Sequence, residues 1–163
     1  MIRTAQKEDL SAIDYIYNQA IYAGFCTGHI QPLKEDLRNR WFNRHNPHEY
    51  PVYVFEEEDQ VLGWASLSPY REGREALRET AELSYYVDFK YHGREIGTQL
   101  VEHCLDQCSV LNKRVLIAFI IDGNDASVGL LEKNGFNEWG YLPEVVKHEG
   151  EIRGQSIMGK VVG

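Results

Sequence analysis

The first third of the chain carries apolar residues at helical spacing. Residues 2–4 predict a short strand, and apolar positions then recur every three or four residues from Leu10 to Ile21. That period indicates an amphipathic helix packed on a core, and Gly24 is a suitable residue to end it. A second helix is predicted over residues 32–42. Its expected inward residues are Leu33, Leu37, Trp41 and Phe42.

From residue 52 onwards the pattern changes to that of strands. Residues 52–55 and 61–67 are mostly apolar and flank the acidic turn 56–60, which predicts a hairpin. A charged loop or short helix over residues 69–79 follows, and residues 81–87 predict a further strand because tyrosine, valine and leucine dominate them.

The last part of the chain alternates between the two patterns. The uninterrupted apolar run 115–121 predicts a central strand buried on both faces. Helices are predicted on either side of it, over residues 96–111 and over residues 124–134, where Gly135 ends the second one. Residues 136–142 and 156–162 predict the closing strands.

This order of elements predicts an α/β layered domain with a mixed central sheet. The 163 residues fit one domain and contain no linker, repeat or low-complexity stretch. No apolar run is long enough to span a membrane and the N-terminus lacks the apolar core of a signal peptide, so we expect a cytoplasmic protein.

Charge and cysteine content narrow the choice of ligand. With 17 basic and 25 acidic residues the net charge is −8, which disfavours binding to nucleic acid or to an anionic membrane through bulk charge. An anionic ligand would therefore need a local binding device. The three cysteines, Cys26, Cys104 and Cys108, are too few for a disulfide framework and are expected to pack as small apolar side chains, with no metal site.

A glycine-containing loop before the helix at residue 96 is a candidate for that device. Gly93 and Gly97 would let the backbone turn tightly, and the N–H groups at the helix start could hold an anion. A plain loop with a helix cap is the alternative, since neither a P-loop nor a dinucleotide-binding motif is present. Asn124 likewise could cap the following helix or face a ligand.

Four motifs in a fixed order carry a resemblance over nearly the whole chain. YxGxxIGTQLV and LIAFIxxxNxxSVxLLEKNGF resemble the GCN5-related N-acetyltransferase superfamily. Near the start and middle, IRxAxxxDLxAIxxIYNxA, GWASLSPYR and TAELSYYV are similar to its phosphinothricin acetyltransferase-like family. The resemblance implies a sheet whose two central strands splay apart, with acetyl-CoA as co-substrate between them, and a homodimer.

The resemblance also implies roles for individual residues. Glu82 corresponds to the proposed general base, which would take a proton from the acceptor amine without any covalent intermediate or metal. Backbone and side-chain groups expected to surround the co-substrate are Tyr85, Tyr86, Val87, Gly93, Arg94, Glu95, Ile96, Gly97, Thr98, Asn124 and Lys133.

The acceptor is expected to carry both an α-amine and an α-carboxylate. Arg71 and Arg74 lie just before Glu82 and could clamp a carboxylate bidentately beside Tyr86, although a solvated basic turn is the alternative. Residues 25–31 are expected to wall this site. Phosphinothricin, methionine sulfoximine and methionine sulfone are the acceptors that the resemblance implies. A sensor that binds acyl-CoA without efficient catalysis, or an acetyltransferase acting on a protein amine, remain open.

Three residues depart from the family pattern. Glu95 replaces a glycine in the loop, and we expect its side chain and charge to weaken acetyl-CoA binding. Leu131 stands where a histidine or tyrosine is common, so this side chain cannot protonate a departing thiolate. Gly154 stands near the position of an aspartate typical of phosphinothricin enzymes.

Overall fold

A seven-stranded mixed sheet runs through the protein, whose computed structural model describes residues 1–163. The strand order is β1-β2-β3-β4-β5-β7-β6, and only β4 and β5 are parallel. This arrangement confirms the expected α/β class. The strands are β1 (Ile2–Thr4), β2 (Val52–Glu57), β3 (Gln60–Pro69), β4 (Thr80–Val87), β5 (Val115–Ile121), β6 (Asn137–His148) and β7 (Glu151–Val161).

Helices cover both faces of the sheet. The main core of 19 buried residues lies on the face covered by α3 (Ile96–Gln107) and α4 (Asp125–Lys133). A smaller cluster of five buried residues lies on the opposite face, under α1 (Leu10–Ala23) and α2 (Glu35–Arg44). None of these helices has the length and apolar character needed to cross a membrane.

The parallel strands β4 and β5 separate after three paired positions. Thr80, Ala81 and Glu82 pair with β5, whereas the rest of β4 pairs only with β3 and continues to Val87. All of β5 meanwhile pairs with β7. Because each strand follows its other neighbour, the sheet opens beyond Glu82, which confirms the expected splay.

The second helix differs from the sequence prediction. It begins at Glu35 rather than near Pro32, because Lys34 is extended with ψ of 151°. It contains no buried residue, and Leu37 is 43% exposed although its spacing predicted an inward position. Trp41 and Phe42 pack on the smaller cluster as expected.

The last two strands are longer than predicted and form one hairpin. β6 continues to His148 and β7 begins at Glu151, joined by a turn in which Glu149 and Gly150 both have positive φ. Most of β6 is exposed on both faces, so it lacks the alternation of apolar and polar residues that identifies a half-buried strand. The third helix is also shorter than predicted, and residues 108–112 form turns.

Candidate active site

Two cavities meet at the point where β4 leaves β5. The larger, about 980 Å³, lies in the gap between the splayed strands and reaches α3 and α4. The smaller, about 200 Å³, lies on the other face of β4 under α1 and α2. Because the same residues line both, a molecule in one cavity can contact a molecule in the other. The shared residues are Tyr17, His29, Glu82, Ser84 and Tyr86.

The glycine-containing loop borders the larger cavity at the start of α3. None of the N–H groups from Gly93 to Thr98 donates to a backbone carbonyl, so this row of donors is available to an anion. A Cβ at Gly97 would lie 2.9 Å from Leu130 Cδ1, so a larger residue here would displace the end of the Leu130 side chain.

Glu95 has the left-handed backbone that the sequence predicted to be unfavourable. Its φ is 59° and its ψ is 15°, and it immediately precedes the first residue of α3. Its side chain is exposed and borders the larger cavity. A carboxylate therefore lies beside the row of N–H donors.

The Arg94 side chain is directed away from the larger cavity. Its Nη2 donates to Glu57 Oε2 at 2.9 Å, and the guanidinium lies 5.6 Å from the centre of the Tyr91 ring. Arg94 therefore contributes only its backbone N–H to the glycine-containing loop, while its side-chain charge is paired with Glu57 on the β2–β3 hairpin.

The remaining predicted residues of the larger cavity lie on β4 and α4. The Asn124 side-chain oxygen accepts from the Ser127 N–H at 3.4 Å, so Asn124 caps α4 and also faces the cavity. Lys133 lines the cavity at the last residue of α4. On β4 the lining residues include Tyr85, Tyr86 and Val87. The Tyr85 hydroxyl donates to the Ser127 carbonyl at 3.3 Å, and burial raises the pKa of Tyr85 to about 12.

Glu82 is the carboxylate at the junction of the two cavities. It is the last β4 residue that pairs with β5, opposite Ile117, and its other neighbour is Ser68 on β3. Burial raises the pKa of Glu82 above its ordinary value. A carboxylate with a raised pKa is a stronger base than one in water, as proton removal from an amine requires.

The smaller cavity contains an arginine that sequence reasoning missed. Arg38, on α2, forms an ion pair with Asp14 of α1 and both side chains line the cavity. Its spacing on α2 gave no signal, because α2 as a whole is polar and exposed. The predicted Arg71 and Arg74 are exposed on the loop after β3, and neither lines either of these two cavities.

A hydrogen-bonded group of three side chains joins the junction to the surface. The Tyr17 hydroxyl is 2.5 Å from Thr27 Oγ1 and 2.5 Å from His29 Nδ1. The Tyr17 and Tyr86 rings pack edge to face at 4.9 Å. Burial raises the pKa of Tyr17, and hydrogen bonds from Thr27 and Tyr86 act in the opposite direction. Thr27 and His29 fall within the loop 25–31 that was expected to wall the site.

The other departures from the family pattern lie outside this junction. Leu131 is fully buried in the main core. A Cβ at Gly154 would lie 2.0 Å from the Tyr141 hydroxyl oxygen, so a tyrosine fills the space beside that glycine. The Gly154 N–H donates to Asp122 Oδ2 at 3.0 Å.

The cysteines pack as predicted, and no metal cluster was found. Cys104 and Cys108 are buried free thiols, and Cys108 Sγ donates to the Cys104 carbonyl at 3.2 Å. Cys26 is half-buried and borders the larger cavity. No group of three or more histidine, cysteine, aspartate or glutamate side chains is placed to hold a metal ion.

Comparison with known proteins identifies the family. The model of the acetyltransferase (GNAT) family matches residues 15–136. The chain belongs to the GNAT family. It is therefore an N-acetyltransferase, as its sequence motifs implied.

Named relatives of this GNAT protein cover most of its length. It is 35% identical to the L-methionine sulfoximine/L-methionine sulfone acetyltransferase of Pseudomonas aeruginosa, over 88% of this chain and 84% of the relative. A phosphinothricin acetyltransferase from Sinorhizobium meliloti, solved with acetyl-CoA, superposes with a TM-score of 0.94 at 27% identity, over 100% of this chain and 88% of the other. A structure described as the ribosomal-protein-alanine N-acetyltransferase from Brucella melitensis superposes with a TM-score of 0.93 at 34% identity, over 99% of each chain.

Proposed function

We propose that the protein transfers the acetyl group of acetyl-CoA to the α-amine of a small amino-acid analogue of the phosphinothricin, methionine sulfoximine or methionine sulfone type. The observation that carries this proposal is the meeting of two cavities at Glu82. One cavity has the size and donors for a long anionic co-substrate, and the other suits a small acceptor. Two of the proteins compared above are named for acceptors of this type, methionine sulfoximine or methionine sulfone in one case and phosphinothricin in the other.

Acetyl-CoA fits the larger cavity. Its pyrophosphate would lie on the free N–H groups from Gly93 to Thr98, and the pantetheine arm would run along Tyr85, Tyr86 and Val87. Asn124 has a free amide NH₂ for that arm, and Lys133 is available to the far end of the molecule. Oriented N–H groups explain how a chain with a net charge of −8 can bind an anion.

Glu82 acts as the general base in this proposal. An α-amine is mostly protonated at neutral pH, so its nitrogen must lose one proton before it attacks and a second as the C–N bond forms, and Glu82 accepts the second. Glu82 borders both cavities, so a nitrogen held in the smaller one lies between the carboxylate and the thioester. A backbone N–H near Tyr86 is the candidate donor to the developing oxyanion.

Thiol release from acetyl-CoA tests the reaction and the base together. We expect release to require an amino-acid analogue and Glu82→Gln to lower kcat by about 100-fold or more. Glu102→Gln, which changes an exposed carboxylate on α3, should keep normal activity. Release that is independent of the acceptor, or unaffected by Glu82→Gln, would contradict the proposal.

An arginine would hold the acceptor carboxylate. Arg38 is inside the smaller cavity and its partner Asp14 leaves guanidinium N–H groups for a second carboxylate. Arg71 and Arg74 are the alternative, on the loop that leaves the end of β3 near this cavity. Single lysine variants at the three positions separate these alternatives, because the residue that clamps the carboxylate will raise the acceptor KM most.

A protein amine is the second candidate acceptor, because of the likeness to the structure described as a ribosomal-protein-alanine N-acetyltransferase. Assays with amino-acid analogues and with peptides bearing an N-terminal alanine distinguish the two. The small volume of the acceptor cavity, about 200 Å³, favours the analogue. Tight CoA binding without turnover on any amine would instead support a sensor.

We propose that a second copy of the chain covers the exposed hairpin formed by β6 and β7. Large apolar side chains lie along it, and β6 is the last strand of the sheet, so its outer edge is unpaired. The exposed residues include Trp139, Tyr141, Val145 and Ile152, each 49–54% exposed.

Sedimentation measures this assembly directly. Val145→Glu should convert a dimer into a monomer, whereas Val110→Glu, at a residue 73% exposed in the turns after α3, should not. A monomeric parent protein would contradict the proposed dimer.

A further inference from the structure

The proposed reaction releases one proton at each turnover. An ammonium nitrogen arrives with three protons and keeps one in the amide product. The sulfur takes one of the two that leave, and the other must reach solvent. Glu82 can hold only one proton at a time, so a second group beside the amine would let the released proton leave while Glu82 holds the other.

A hydrogen-bonded route leads from the junction to solvent. Tyr17 lines both cavities together with Glu82, so an amine held against Glu82 shares this space with the Tyr17 hydroxyl. The hydroxyl lies 2.5 Å from His29 Nδ1, and His29 is exposed. Thr27 Oγ1, also at 2.5 Å, fixes the direction of the hydroxyl.

We propose that Tyr17 and His29, held by Thr27, form a proton relay that carries the ammonium proton of the acceptor to solvent. This inference rests on the proposed function. The ammonium gives one proton to the Tyr17 oxygen while Tyr17 gives its own proton to His29 Nδ1, and His29 then releases its Nε2 proton to water. Before the next turnover His29 loses the proton on Nδ1 and regains one on Nε2 by exchange with water, which restores the starting tautomer. Imidazole exchanges protons readily at neutral pH, which suits the last step.

The remaining proton follows a separate route. As the C–N bond forms, Glu82 takes the second nitrogen proton. The C–S bond breaks, the sulfur keeps its electron pair, and Glu82 returns that proton to the sulfur. Both protons and the electron pair are thereby accounted for, and Leu131, which is buried and aliphatic, is not needed.

Several titratable or charged groups share these cavities with the relay. Asp14 and Arg38 line the smaller cavity, and Glu82 and Tyr86 line both. The larger cavity is also lined by Cys26, Tyr85, Tyr91, His92, Glu95, Asp125 and Lys133. Because any of them could shape a pH profile, the test compares variants with one another rather than relying on a single profile.

The relay is tested with acceptors that reach the site already neutral, because these have no ammonium proton to lose. At neutral pH we expect His29→Gln and Tyr17→Phe to lower kcat by about 100-fold while binding of CoA, measured by calorimetry, is unchanged. The defect should vanish above the pKa of the acceptor amine, or with an aminooxy acceptor that is neutral at neutral pH. Glu82→Gln should stay defective in both conditions. The matched controls are His48→Gln and Tyr15→Phe, both at exposed residues away from the junction.

Two further measurements test the relay without a neutral acceptor. Added imidazole should restore activity to His29→Ala but not to Tyr17→Phe. The imidazole nitrogen signals of His29 should move in Tyr17→Phe without substrate, because Nδ1 loses its partner. A defect that stays constant with pH and acceptor, or unmoved His29 signals, would overturn the relay. Loss of acetyl transfer in the parent protein would instead contradict the proposed function.

Discussion

At the residue scale, the decisive features are single side chains in unusual surroundings. Glu82 is a carboxylate held at a partly buried junction, and Glu95 is a non-glycine residue with left-handed backbone. Both were located through the resemblance, Glu82 as the counterpart of the proposed general base and Glu95 as a departure from the glycine of the family's loop. Sequence reasoning missed Arg38, whose place in the smaller cavity depends on how α2 lies against α1.

Glycine at position 95 should improve both stability and co-substrate binding. A left-handed non-glycine residue costs about 1–3 kcal/mol, and the carboxylate repels a pyrophosphate on the same loop. We therefore expect Glu95→Gly to raise the melting temperature and to lower the KM for acetyl-CoA several-fold. Thermal melts and initial rates measure the two effects.

A matched control for this variant exists in another turn. Glu149 has φ of 49° and is exposed between β6 and β7. Glu149→Gly should therefore raise the melting temperature without changing the KM for acetyl-CoA. An equal or higher KM in Glu95→Gly would show that its charge does not hinder binding.

Glu82→Gln should stabilise the protein while it removes activity. Burial raises the folded-state pKa of Glu82, so the folded state binds this proton more strongly than the unfolded chain does. Stability is therefore lost as the pH rises through the unfolded and then the folded pKa. The uncharged amide avoids this loss, and each kcal/mol gained raises the melting temperature by about 2–4 °C.

The pH dependence of the rise in melting temperature shows whether the buried charge causes it. The difference in melting temperature between Glu82→Gln and the parent should be present at neutral pH and shrink in acid, where the parent carboxyl is also uncharged. A difference that is independent of pH would point to packing of the amide rather than to charge burial.

At the element scale, the sequence predicted which elements exist better than where they begin and end. The apolar run of β5 was located correctly because a strand buried on both faces leaves an uninterrupted pattern. The exposed part of β6 leaves none, and its existence depends on pairing with β7. The position at which α2 begins, Glu35, likewise depends on the extended backbone of Lys34 rather than on the spacing of apolar residues.

The hairpin of β6 and β7 also fixes the loop that carries the relay. The Arg153 guanidinium lies 3.6 Å from the centre of the Phe25 ring, and the His148 ring packs edge to face on it at 5.3 Å. Phe25 precedes Thr27 and His29 by a few residues and has a positive φ of 58°. The contact thus holds a strained loop in place.

Phe25→Ala should loosen this loop. A cation–π contact contributes about 0.5–2 kcal/mol, so we expect the KM for the acceptor to rise about twofold to thirtyfold. Acceptor saturation curves measure it, and Tyr22→Ala, at a residue 75% exposed near the end of α1, is the control. An unchanged KM for the acceptor would mean that the loop keeps its position without Phe25.

At the scale of the whole molecule, the parting of β4 and β5 creates the site. The two strands could remain paired only if β4 left β3 or β5 left β7, and those antiparallel pairs are far longer than the three shared positions. The order of elements predicted the layered fold, but the splay came only with the resemblance, since no residue pattern within β4 or β5 indicates where they separate. The net charge of the chain was also a poor guide to its ligand, because the backbone N–H donors from Gly93 to Thr98 carry no formal charge.

An arginine on β1 joins one carboxylate on β2 to another just before α1, and acid should weaken this network. Arg3 Nη1 and Nη2 lie 2.7 and 2.9 Å from the two Asp9 carboxylate oxygens, and Arg3 Nε donates to Glu56 Oε2 at 2.7 Å. Burial raises the pKa of Asp9, but hydrogen bonds from Arg3 and from the Gln6 N–H outweigh it and hold that pKa below its ordinary value.

Because the folded-state pKa of Asp9 is lowered, its stabilisation is present above the unfolded pKa and is lost as the pH falls through the folded one. Asp9→Asn should cost about 1–3 kcal/mol of unfolding free energy at neutral pH, and the cost should shrink in acid. Urea denaturation across that pH range measures it. Asp36→Asn is the control, because its ion pair with Arg40 is 61% and 71% exposed and should contribute under about 1 kcal/mol. Equal losses in the two variants would mean that the Arg3 network stabilises no more than a surface pair does.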